Sequence, residues 1–361
     1  MTLHSLGWNE TFAAVFQSFP DFQPARVVCA HKHACDVLTP DGLFSAECTG
    51  RLLHEAATTA DLPVVGDWVA LRLRPGERRG DIHAVLPRRT RFSRRAAGTR
   101  SEEQIVAANL DTVILVSALD QNYNLRRIER YLLLAWESGA DPVIVLNKSD
   151  LHADPDAALA EVASVAPGVP VVVLSALDST GLAGLDPWLQ PGHTIALLGS
   201  SGVGKSTLIN RLLGADVQLT SDISNANYKG RHTTTRRELL VAPSGALIID
   251  TPGMREIQFW QSGADAVDET FADIEELARQ CRFHDCRHHG EPGCAIADAL
   301  NAGELDTGRW QSYQKLQREQ AYAARKADVV LDRAARQSWK KISQQARKHI
   351  QQKHAGYDTQ D

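Results

Sequence analysis

The pattern of apolar and polar residues divides the chain into stretches of different predicted structure. Between residue 25 and about residue 95, short segments alternate partly between apolar and polar positions, with turns at Pro40-Asp41-Gly42 and Arg74-Pro75-Gly76. Segments of this kind, bounded by proline and glycine, predict β-strands. About five short strands in so short a stretch favour a small barrel, either an OB-fold, which also binds nucleic acid, or an SH3-like barrel.

A different pattern begins near residue 100 and continues to about residue 260. Apolar segments such as TVILVSALD, DPVIVLNKSD and HTIALLGSSG run into polar or glycine-rich residues, and stretches with helical periodicity lie between them. Alternating strands and helices predict a mainly parallel sheet covered by helices, with ligands at the carboxyl ends of the strands. From residue 265 onward we predict helices that carry cysteine and histidine, followed by a polar, basic, helical tail.

These patterns predict a multidomain protein. An N-terminal all-β barrel, an OB-fold or an SH3-like barrel, precedes a central α/β domain, and a mostly helical domain follows. The predicted segments are an extension over residues 1–24, the barrel over 25–98, the α/β domain over 99–260, and the helical domain with its tail over 261–361.

The composition is that of an ordinary globular protein. Of 361 residues, 43% are hydrophobic and 23% are charged, which argues against disorder and against a fibrous repeat. The chain has no run of 18 apolar residues, and its first thirty residues lack the basic and apolar regions of a secretory signal. Six cysteines are too few for a disulfide scaffold. We therefore expect a cytoplasmic protein without a membrane partner.

The net charge of −5 conceals a strong division along the chain. Ten arginines and two acidic residues between Arg72 and Arg100 give a charge of +8, and the segment from Lys315 to Lys353 also carries +8. The remaining residues carry −21. Two basic patches on either side of an acidic middle indicate that both patches of the protein bind a polyanion. The alternative is that these charge runs are only solvated faces.

A phosphate-binding motif lies between a predicted strand and a predicted helix. Residues Gly199 to Ser206 read GSSGVGKS and match the pattern G-x-x-x-x-G-K-[ST]. In such a loop the backbone N–H groups surround the phosphates, Lys205 reaches the β- and γ-phosphates, and Ser206 coordinates Mg²⁺. The alternative is a glycine-rich turn without a ligand, which the strand–loop–helix context disfavours.

Two further motifs indicate which nucleotide binds. In DTPG, after the apolar segment ALII, Asp250 would hold Mg²⁺ through water and the Gly253 N–H would meet the γ-phosphate. Asn147–Asp150 read NKSD, and a carboxylate there accepts two hydrogen bonds that guanine can donate and adenine cannot. Ser175–Leu177 (SAL) resembles the companion element that supports the base. NKSD alone could be a helix cap, but with the other motifs it predicts GTP and argues against an ATPase or small-molecule kinase.

The order of these motifs is unusual. NKSD and SAL precede the phosphate loop and DTPG, whereas in the usual GTPase the phosphate loop comes first. Because all four motifs lie at one edge of one sheet, a circular permutation can move the termini and leave the site intact. DTPG then leads almost directly into the C-terminal domain, so contacts with the γ-phosphate could reposition that domain.

The segment GRHTTT, Gly230–Thr235, lies where a switch I element belongs. One threonine there could close on Mg²⁺ when GTP is bound, and we favour Thr234. Many GTPases carry glutamine directly after D-x-x-G to orient the attacking water, but this chain has Met254 at that position. His232 is the candidate replacement, with a solvated loop histidine as the alternative.

A dense group of metal-ligating residues lies near the C-terminus. Three thiolates and one imidazole fall within fourteen residues, at Cys281, Cys286, His288 and Cys294. Cys₃His is a closed structural zinc set, without an open position for a catalytic water. His284 and His289 are nearby donors that the spacing leaves open, and uncoordinated thiols are the remaining alternative. The other three cysteines are interpreted as small buried hydrophobes or idle thiols: Cys29, Cys35 and Cys48.

The motif order NKSD–SAL–GSSGVGKST–GRHTTT–DTPG, followed by CRFHDCRHHGEPGC, resembles the ribosome small subunit-dependent GTPase A family (RsgA, also called YjeQ). The resemblance extends over nearly all of the chain from about residue 25. It implies an OB-fold, a circularly permuted GTPase domain and a C-terminal zinc-binding domain. It also implies a role in late maturation of the small (30S) ribosomal subunit, which stimulates GTP hydrolysis, with hydrolysis coupled to release. The expected partners are this subunit, its 16S rRNA and GTP or GDP, without DNA, and we expect a monomer.

The motifs and the resemblance together predict roles for single residues. Guanine contacts come from Asn147, Lys148, Ser149, Asp150, Ser175 and Ala176. Contacts to the phosphates and Mg²⁺ come from Gly199, Ser200, Ser201, Gly202, Val203, Gly204, Lys205, Ser206, Thr207, Asp250 and Gly253, with Ser206 and Asp250 as the magnesium ligands. One structural zinc ion is held by Cys281, Cys286, His288 and Cys294. The catalytic residues are Lys205, His232 and Thr234.

Two classes of function fit these predictions. In the first, the protein is a slow GTPase activated by RNA, because Met254 leaves the attacking water unoriented until the partner orders switch I. The barrel and the tail would bind rRNA through its phosphates, so binding would weaken steeply with salt. In the second, the protein is a GTP-regulated binding module in which hydrolysis only resets docking. The tail beyond about Lys340 is less typical of the family, and its partner stays open.

Overall fold

A computed structural model describes most of the chain, namely residues 1–95, 103–214, 237–250, 270–288, 290–319 and 321. The chain forms two compact units, Met1–Asp298 and Ala299–Asp361. The predicted domain boundaries at residues 98 and 260 lie outside the described residues. Within the described ranges, no helix is both long enough and apolar enough to span a membrane.

The described elements comprise thirteen strands, eight α-helices and four short 3-10 helices. The strands are β1 (Gln23–Ala30), β2 (Cys35–Thr39), β3 (Gly42–Cys48), β4 (Trp68–Leu73), β5 (Arg79–Val85), β6 (Arg91–Arg95), β7 (Glu103–Ala108), β8 (Thr112–Ala118), β9 (Asp141–Asn147), β10 (Val171–Val173), β11 (Thr194–Leu198), β12 (Glu238–Val241) and β13 (Leu247–Asp250). The α-helices are α1 (Glu10–Phe16), α2 (Gly50–Glu55), α3 (Leu125–Ser138), α4 (Pro155–Val165), α5 (Lys205–Leu213), α6 (Ala272–Arg279), α7 (Ala295–Ala302) and α8 (307–319). The 3-10 helices are His4–Leu6, Thr59–Asp61, Ser149–Leu151 and Leu182–Trp188.

The first five strands form a closed barrel. Their order is β1-β2-β3-β5-β4, and an additional antiparallel pairing of β1 with β4 closes the barrel. β3 and β5 run parallel, and the other neighbours in the barrel run antiparallel. Alternate residues of the strands point inward and are buried together, namely Ala25, Val27, Cys35, Val37, Ala46, Val69, Leu71 and Ile82. The OB-fold barrel predicted from the sequence is confirmed.

The N-terminal segment packs on the outside of this barrel. The indole of Trp8 meets that of Trp68 edge to face, with ring centroids 4.6 Å apart. Phe12 of α1 is only 2% exposed and lies beside both rings. Burial of aromatic rings is among the larger sources of hydrophobic stabilisation, so this segment is an integral part of the barrel's packing.

The central part of the first unit is an α/β structure, as its apolar pattern predicted. Its strand order is β10-β9-β8-β11-β13-β12, and the strands are parallel except for β12, which is antiparallel to β13. Alternate residues of β8 face opposite sides of the sheet. Leu115 shares a buried cluster with Leu132 of α3, and Ile114 shares another with Leu208 of α5. Helices therefore cover both faces and leave the strand ends to carry the site.

The barrel and the α/β sheet are joined at β1. This strand pairs with β12, with Cys29 opposite Glu238, so that eleven strands form one continuous sheet. A buried arginine strengthens the junction: Arg26 Nη1 donates to Leu6 O (2.8 Å), and Nη2 donates to Thr194 Oγ1 (3.2 Å). Burial lowers the pKa of Arg26 to about 10. A guanidinium supplies several donors at fixed angles, which suits a contact between segments far apart in sequence.

The second compact unit contains the end of α7 and all of α8. Asp306 caps α8, because its Oδ1 accepts a hydrogen bond from the Arg309 N–H at 2.8 Å. The rings of Trp310 and Tyr313 stack one turn apart, with centroids 5.5 Å apart. Local capping and stacking therefore support this helix.

Candidate nucleotide-binding site and metal centre

The predicted phosphate loop lies between β11 and α5. Val203 is 2% exposed and anchors the loop in the core, while Ser201 and Ser206 are exposed. The Nζ of Lys205 donates hydrogen bonds to the carbonyl oxygens of Gly199 (2.5 Å) and Ser200 (2.7 Å). The ammonium group thus lies over the loop at the N-terminus of α5, where the N–H groups and the helix dipole favour an anion.

Asn147 joins three motifs that are far apart in sequence. Its Nδ2 donates to Val203 O of the phosphate loop (2.8 Å), and its Oδ1 accepts from the Ala176 N–H of the SAL segment (2.9 Å). The amide is 2% exposed, so both hydrogen bonds are shielded from water. Gly204 has φ +95°, and a Cβ there would overlap the Asn147 amide. The geometry therefore brings NKSD, SAL and the phosphate loop together.

The next residues of NKSD point in different directions. Lys148 takes a left-handed backbone conformation (φ +63°), and its Nζ donates to Asp120 Oδ2 at 2.8 Å. This hydrogen bond lowers the pKa of the Asp120 carboxyl below its usual value. Ser149 N donates to Leu174 O at 3.2 Å, while Asp150 is exposed. The carboxylate predicted to recognise guanine is accessible at this edge of the sheet.

The segment Ser175–Leu177, here called the base loop, is fixed by an arginine. Arg211 lies in the last turn of α5, and its Nε donates to Ala176 O at 3.1 Å. Its Nη2 donates to Leu177 O at 2.5 Å. The helix that begins at the phosphate loop therefore also holds the base loop in place.

The magnesium side of the predicted site is described in part. Asp250 ends β13, next to the phosphate-loop strand β11. Ser206 lies in the first turn of α5 with its side chain exposed. The other predicted residues on this side lie outside the described residues, namely Gly253, Met254 and the whole of Gly230–Thr235 with His232 and Thr234.

Three residues that contact this site were not identified from the sequence. Besides Arg211 and Asp120, Arg127 of α3 donates from Nη1 to Ser200 Oγ of the phosphate loop at 3.1 Å. Asp120 lies two residues after the end of β8, so the rule that ligand groups gather at strand ends could have identified it. Neither arginine belongs to a recognised motif, and no sequence signal points to them.

The predicted metal ligands near the C-terminus come together. The ligand atoms of Cys281, Cys286, His288 and Cys294 all lie within 4.8 Å of one another. The His288 Nδ1 lies 3.6 Å from Cys281 Sγ and 3.5 Å from Cys294 Sγ. With Zn–S bonds of about 2.3 Å and Zn–N bonds of about 2.0 Å, a tetrahedral site has S···N edges of about 3.5 Å. The donor set and its spacing thus fit a zinc ion.

The backbone also supports this arrangement. His288 has φ +61°, and the Arg287 N–H beside it donates to Glu291 Oε1 at 3.1 Å. None of the six cysteines is in a disulfide. His284 is exposed and is not part of the four-residue group, and the other alternative ligand, His289, lies outside the described residues.

Comparisons of sequence give several close matches. A family model described as RsgA GTPase matches residues 85–260, and one described as 50S ribosome-binding GTPase matches residues 194–357. A protein of Opitutus terrae, named small ribosomal subunit biogenesis GTPase RsgA, is 59% identical over 97% of this chain and 99% of its own length. A protein of the same name from Methanosarcina acetivorans is 43% identical over 95% of this chain and 92% of its own length.

Comparisons of structure agree with these matches. The crystal structure of YjeQ from Thermotoga maritima has a TM-score of 0.61 and 27% identity, over 83% of this chain and 98% of that one. YloQ, described as a circularly permuted GTPase, has a TM-score of 0.61 over 84% of this chain and 96% of its own. At 24% identity, the YloQ match concerns the fold.

Proposed function

The chain belongs to the RsgA GTPase family, with circularly permuted motifs, and from this premise we propose that it binds the small (30S) ribosomal subunit and assists its late maturation. In this proposal the subunit stimulates GTP hydrolysis, and hydrolysis releases the protein. The names of the curated relatives support the role in small-subunit biogenesis.

The observation that carries the nucleotide assignment is the pair of hydrogen bonds made by Asn147. One amide connects the phosphate loop to the base loop, so phosphates and base can be bound by one rigid frame. Asp150 lies exposed beside it and would accept hydrogen bonds from guanine. Adenine lacks these donors and would leave the carboxylate unpaired, which disfavours ATP.

The phosphate side of the site has the residue types that hydrolysis needs. Lys205 would stabilise the negative charge on the β- and γ-phosphates, and Ser206 and Asp250 would hold Mg²⁺. An ion held by these two residues would supply positive charge that offsets the negative charge of the phosphates during transfer. We assign His232 to orienting the attacking water and Thr234 to closing switch I, both by motif.

The C-terminal cluster would hold one structural zinc ion. Three thiolates and one imidazole complete a tetrahedral set, so the ion would stabilise the fold of its segment and leave no coordination position for water. Cys281, Cys286, His288 and Cys294 are the proposed ligands.

We propose that the barrel contacts 16S rRNA through its exposed arginines. Several arginines of the basic patch are already engaged within the protein. Arg88 pairs with buried Asp67 at 2.7 Å, and Arg74 pairs with Asp81 at 2.6 Å. Arg78 and Arg79, at the β4–β5 turn, are exposed and suit phosphate contacts. Since each such contact displaces counterions, binding of the subunit should weaken steeply with salt.

Turnover of GTP and ATP by the purified protein, with and without small subunits, tests the proposal. We expect a weak basal GTPase that small subunits raise well above background, with ATP inert. Large subunits are the control, because one matching family model carries a 50S name. Guanine-specific turnover that ignores small subunits would retain the GTPase and remove the proposed partner.

Two variants test the assigned roles of single residues. Asp150→Asn should reduce the preference for GTP. Asp154→Asn is the matched control, because Asp154 caps α4 and an asparagine at that position caps a helix equally well. Unchanged selectivity in Asp150→Asn would contradict the guanine assignment. His232→Ala should bind subunits in the presence of GTP and fail to release, whereas loss of binding would contradict the separation of docking from hydrolysis.

A further inference from the structure

A second group of metal-ligating side chains lies at the end of the β1–β2 hairpin. The ligand atoms of Cys29, His31 and Asp36 all lie within 4.8 Å of one another. The His31 Nε2 is 2.8 Å from Asp36 Oδ2. These residues belong neither to the nucleotide site nor to the C-terminal Cys₃His cluster, and they lie on the barrel.

A β-bulge creates this arrangement. In the β1–β2 pairing Val27 lies opposite Val37, but the register then shifts and Cys29 lies opposite Asp36. A regular ladder would place Cys29 opposite Cys35, whose side chain lies inside the barrel. Asp36 alternates with the inward residues and points outward, so the bulge turns Cys29 to the outer face beside it. Bulges commonly re-aim a side chain in this way near functional sites.

The third ligand follows from strand periodicity and from the hairpin turn. His31 is two residues beyond Cys29, a spacing that puts side chains of an extended strand on one face. The His31 N–H donates to Ala34 O at 2.8 Å and fixes the turn. Cys29 is 6% exposed, whereas the side chains of His31 and Asp36 are 33% and 35% exposed. An ion could therefore enter from solvent and bind a thiol that is itself shielded from water.

We infer that Cys29, His31 and Asp36 form a second transition-metal site, suited to Zn²⁺. Sulfur, imidazole and carboxylate together are a donor set for zinc, whereas Mg²⁺ and Ca²⁺ prefer oxygen ligands alone. Three protein ligands leave one tetrahedral position open to solvent. The contact between His31 and Asp36 could form without Cys29. The bulge places the Cys29 thiol beside that pair and so completes the donor set.

The location suggests what the ion would do. Cys29 is the residue of β1 that lies opposite Glu238 of β12, where the barrel meets the α/β sheet. Glu238 in turn lies opposite Asp250, the proposed magnesium ligand. A metal ion on Cys29 would stabilise the hairpin next to this junction, about two strand spacings of about 4.8 Å from β13.

Zinc content of the full-length protein tests the inference. We expect about two zinc ions per chain in the wild type, one for each cluster, and about one in Cys286→Ser. Adding His31→Ala or Cys29→Ser to Cys286→Ser should remove the remaining ion. His33→Ala in the same background is the matched control, since His33 is exposed on the same hairpin but is not in the cluster. His31 lies at the half-exposed end of the hairpin, so His31→Ala should fold even if Cys29→Ser does not.

Cobalt substitution gives a second readout. In Cys286→Ser, Co²⁺ bound at the hairpin should show a thiolate charge-transfer band that Cys29→Ser or His31→Ala abolishes and His33→Ala retains. About one zinc ion in the wild type with none in Cys286→Ser would overturn the inference. So would hairpin variants that keep as much metal as the His33→Ala control.

Discussion

Asn147→Asp tests whether one buried amide holds the nucleotide site together. The substitution keeps the size of the side chain and keeps an oxygen to accept from the Ala176 N–H. It removes the donor to Val203 O and places a second oxygen against that carbonyl. Because Asn147 and Val203 are each 2% exposed, water cannot replace the lost hydrogen bond.

The expected cost follows from that one contact. A buried polar group left without its partner costs about 1–3 kcal/mol, and the facing oxygens add repulsion. If this free energy destabilises only the conformation that binds nucleotide, the affinity for GDP and GTP should drop about 5- to 150-fold. Equilibrium binding of fluorescent GDP and GTP analogues measures this effect, and thermal unfolding measures any loss of global stability.

Asn124→Asp is the matched control for this variant. Asn124 caps α3 through a side-chain oxygen that accepts from the Arg127 N–H at 3.1 Å, and aspartate caps a helix equally well. The control should therefore bind nucleotide like the wild type. Wild-type affinity and wild-type thermal stability in Asn147→Asp would together refute the bridging role derived from the geometry.

Three further predictions concern the same unit. Arg211→Lys removes one of the two hydrogen bonds to the base loop and should weaken guanine nucleotide binding about 2- to 12-fold, measured by titration; an unchanged Kd would show that the base loop holds its conformation without Arg211. The hydrogen bond from Lys148 lowers the pKa of Asp120, so the stability it contributes is complete above about pH 4 and is lost as the pH falls through the lowered pKa. The difference in unfolding free energy between wild type and Asp120→Asn should therefore be constant near neutral pH and should shrink towards zero in acid. A difference that grew in acid would contradict the lowered pKa of Asp120. Cys286→Ser or chelation should unfold the segment 281–294, seen as faster amide exchange, with nucleotide binding retained; equal loss of both would show one cooperative unit.

Much of the site could be predicted from the sequence because its motifs are local. Gly199–Ser206 are consecutive residues whose backbone alone makes the phosphate cradle, and Asn147–Asp150 directly end a strand. Cys281 to Cys294 span fourteen residues, so their approach needs only one turn-rich segment. The permuted order of the motifs is also a property of the sequence, and it indicates the family without any tertiary contact.

The contacts that unite these motifs depend on tertiary structure. Asn147 meets partners 29 and 56 residues away, and Arg26 meets Thr194 across 168 residues. Periodicity in the sequence shows which side of an element is buried, but the partner depends on how sheets and helices pack.

The hairpin cluster shows the same limit at short range. Regular alternation would turn Cys29 into the barrel, in keeping with its interpretation as a small buried hydrophobe. The bulge reverses its direction, and a bulge is a property of the pairing between two strands rather than of either strand alone. The sequence by itself thus determined the fold class, the motifs and the chemistry of their residues. Strand register and packing decided which side chains meet, because those contacts exist only once distant segments are brought together.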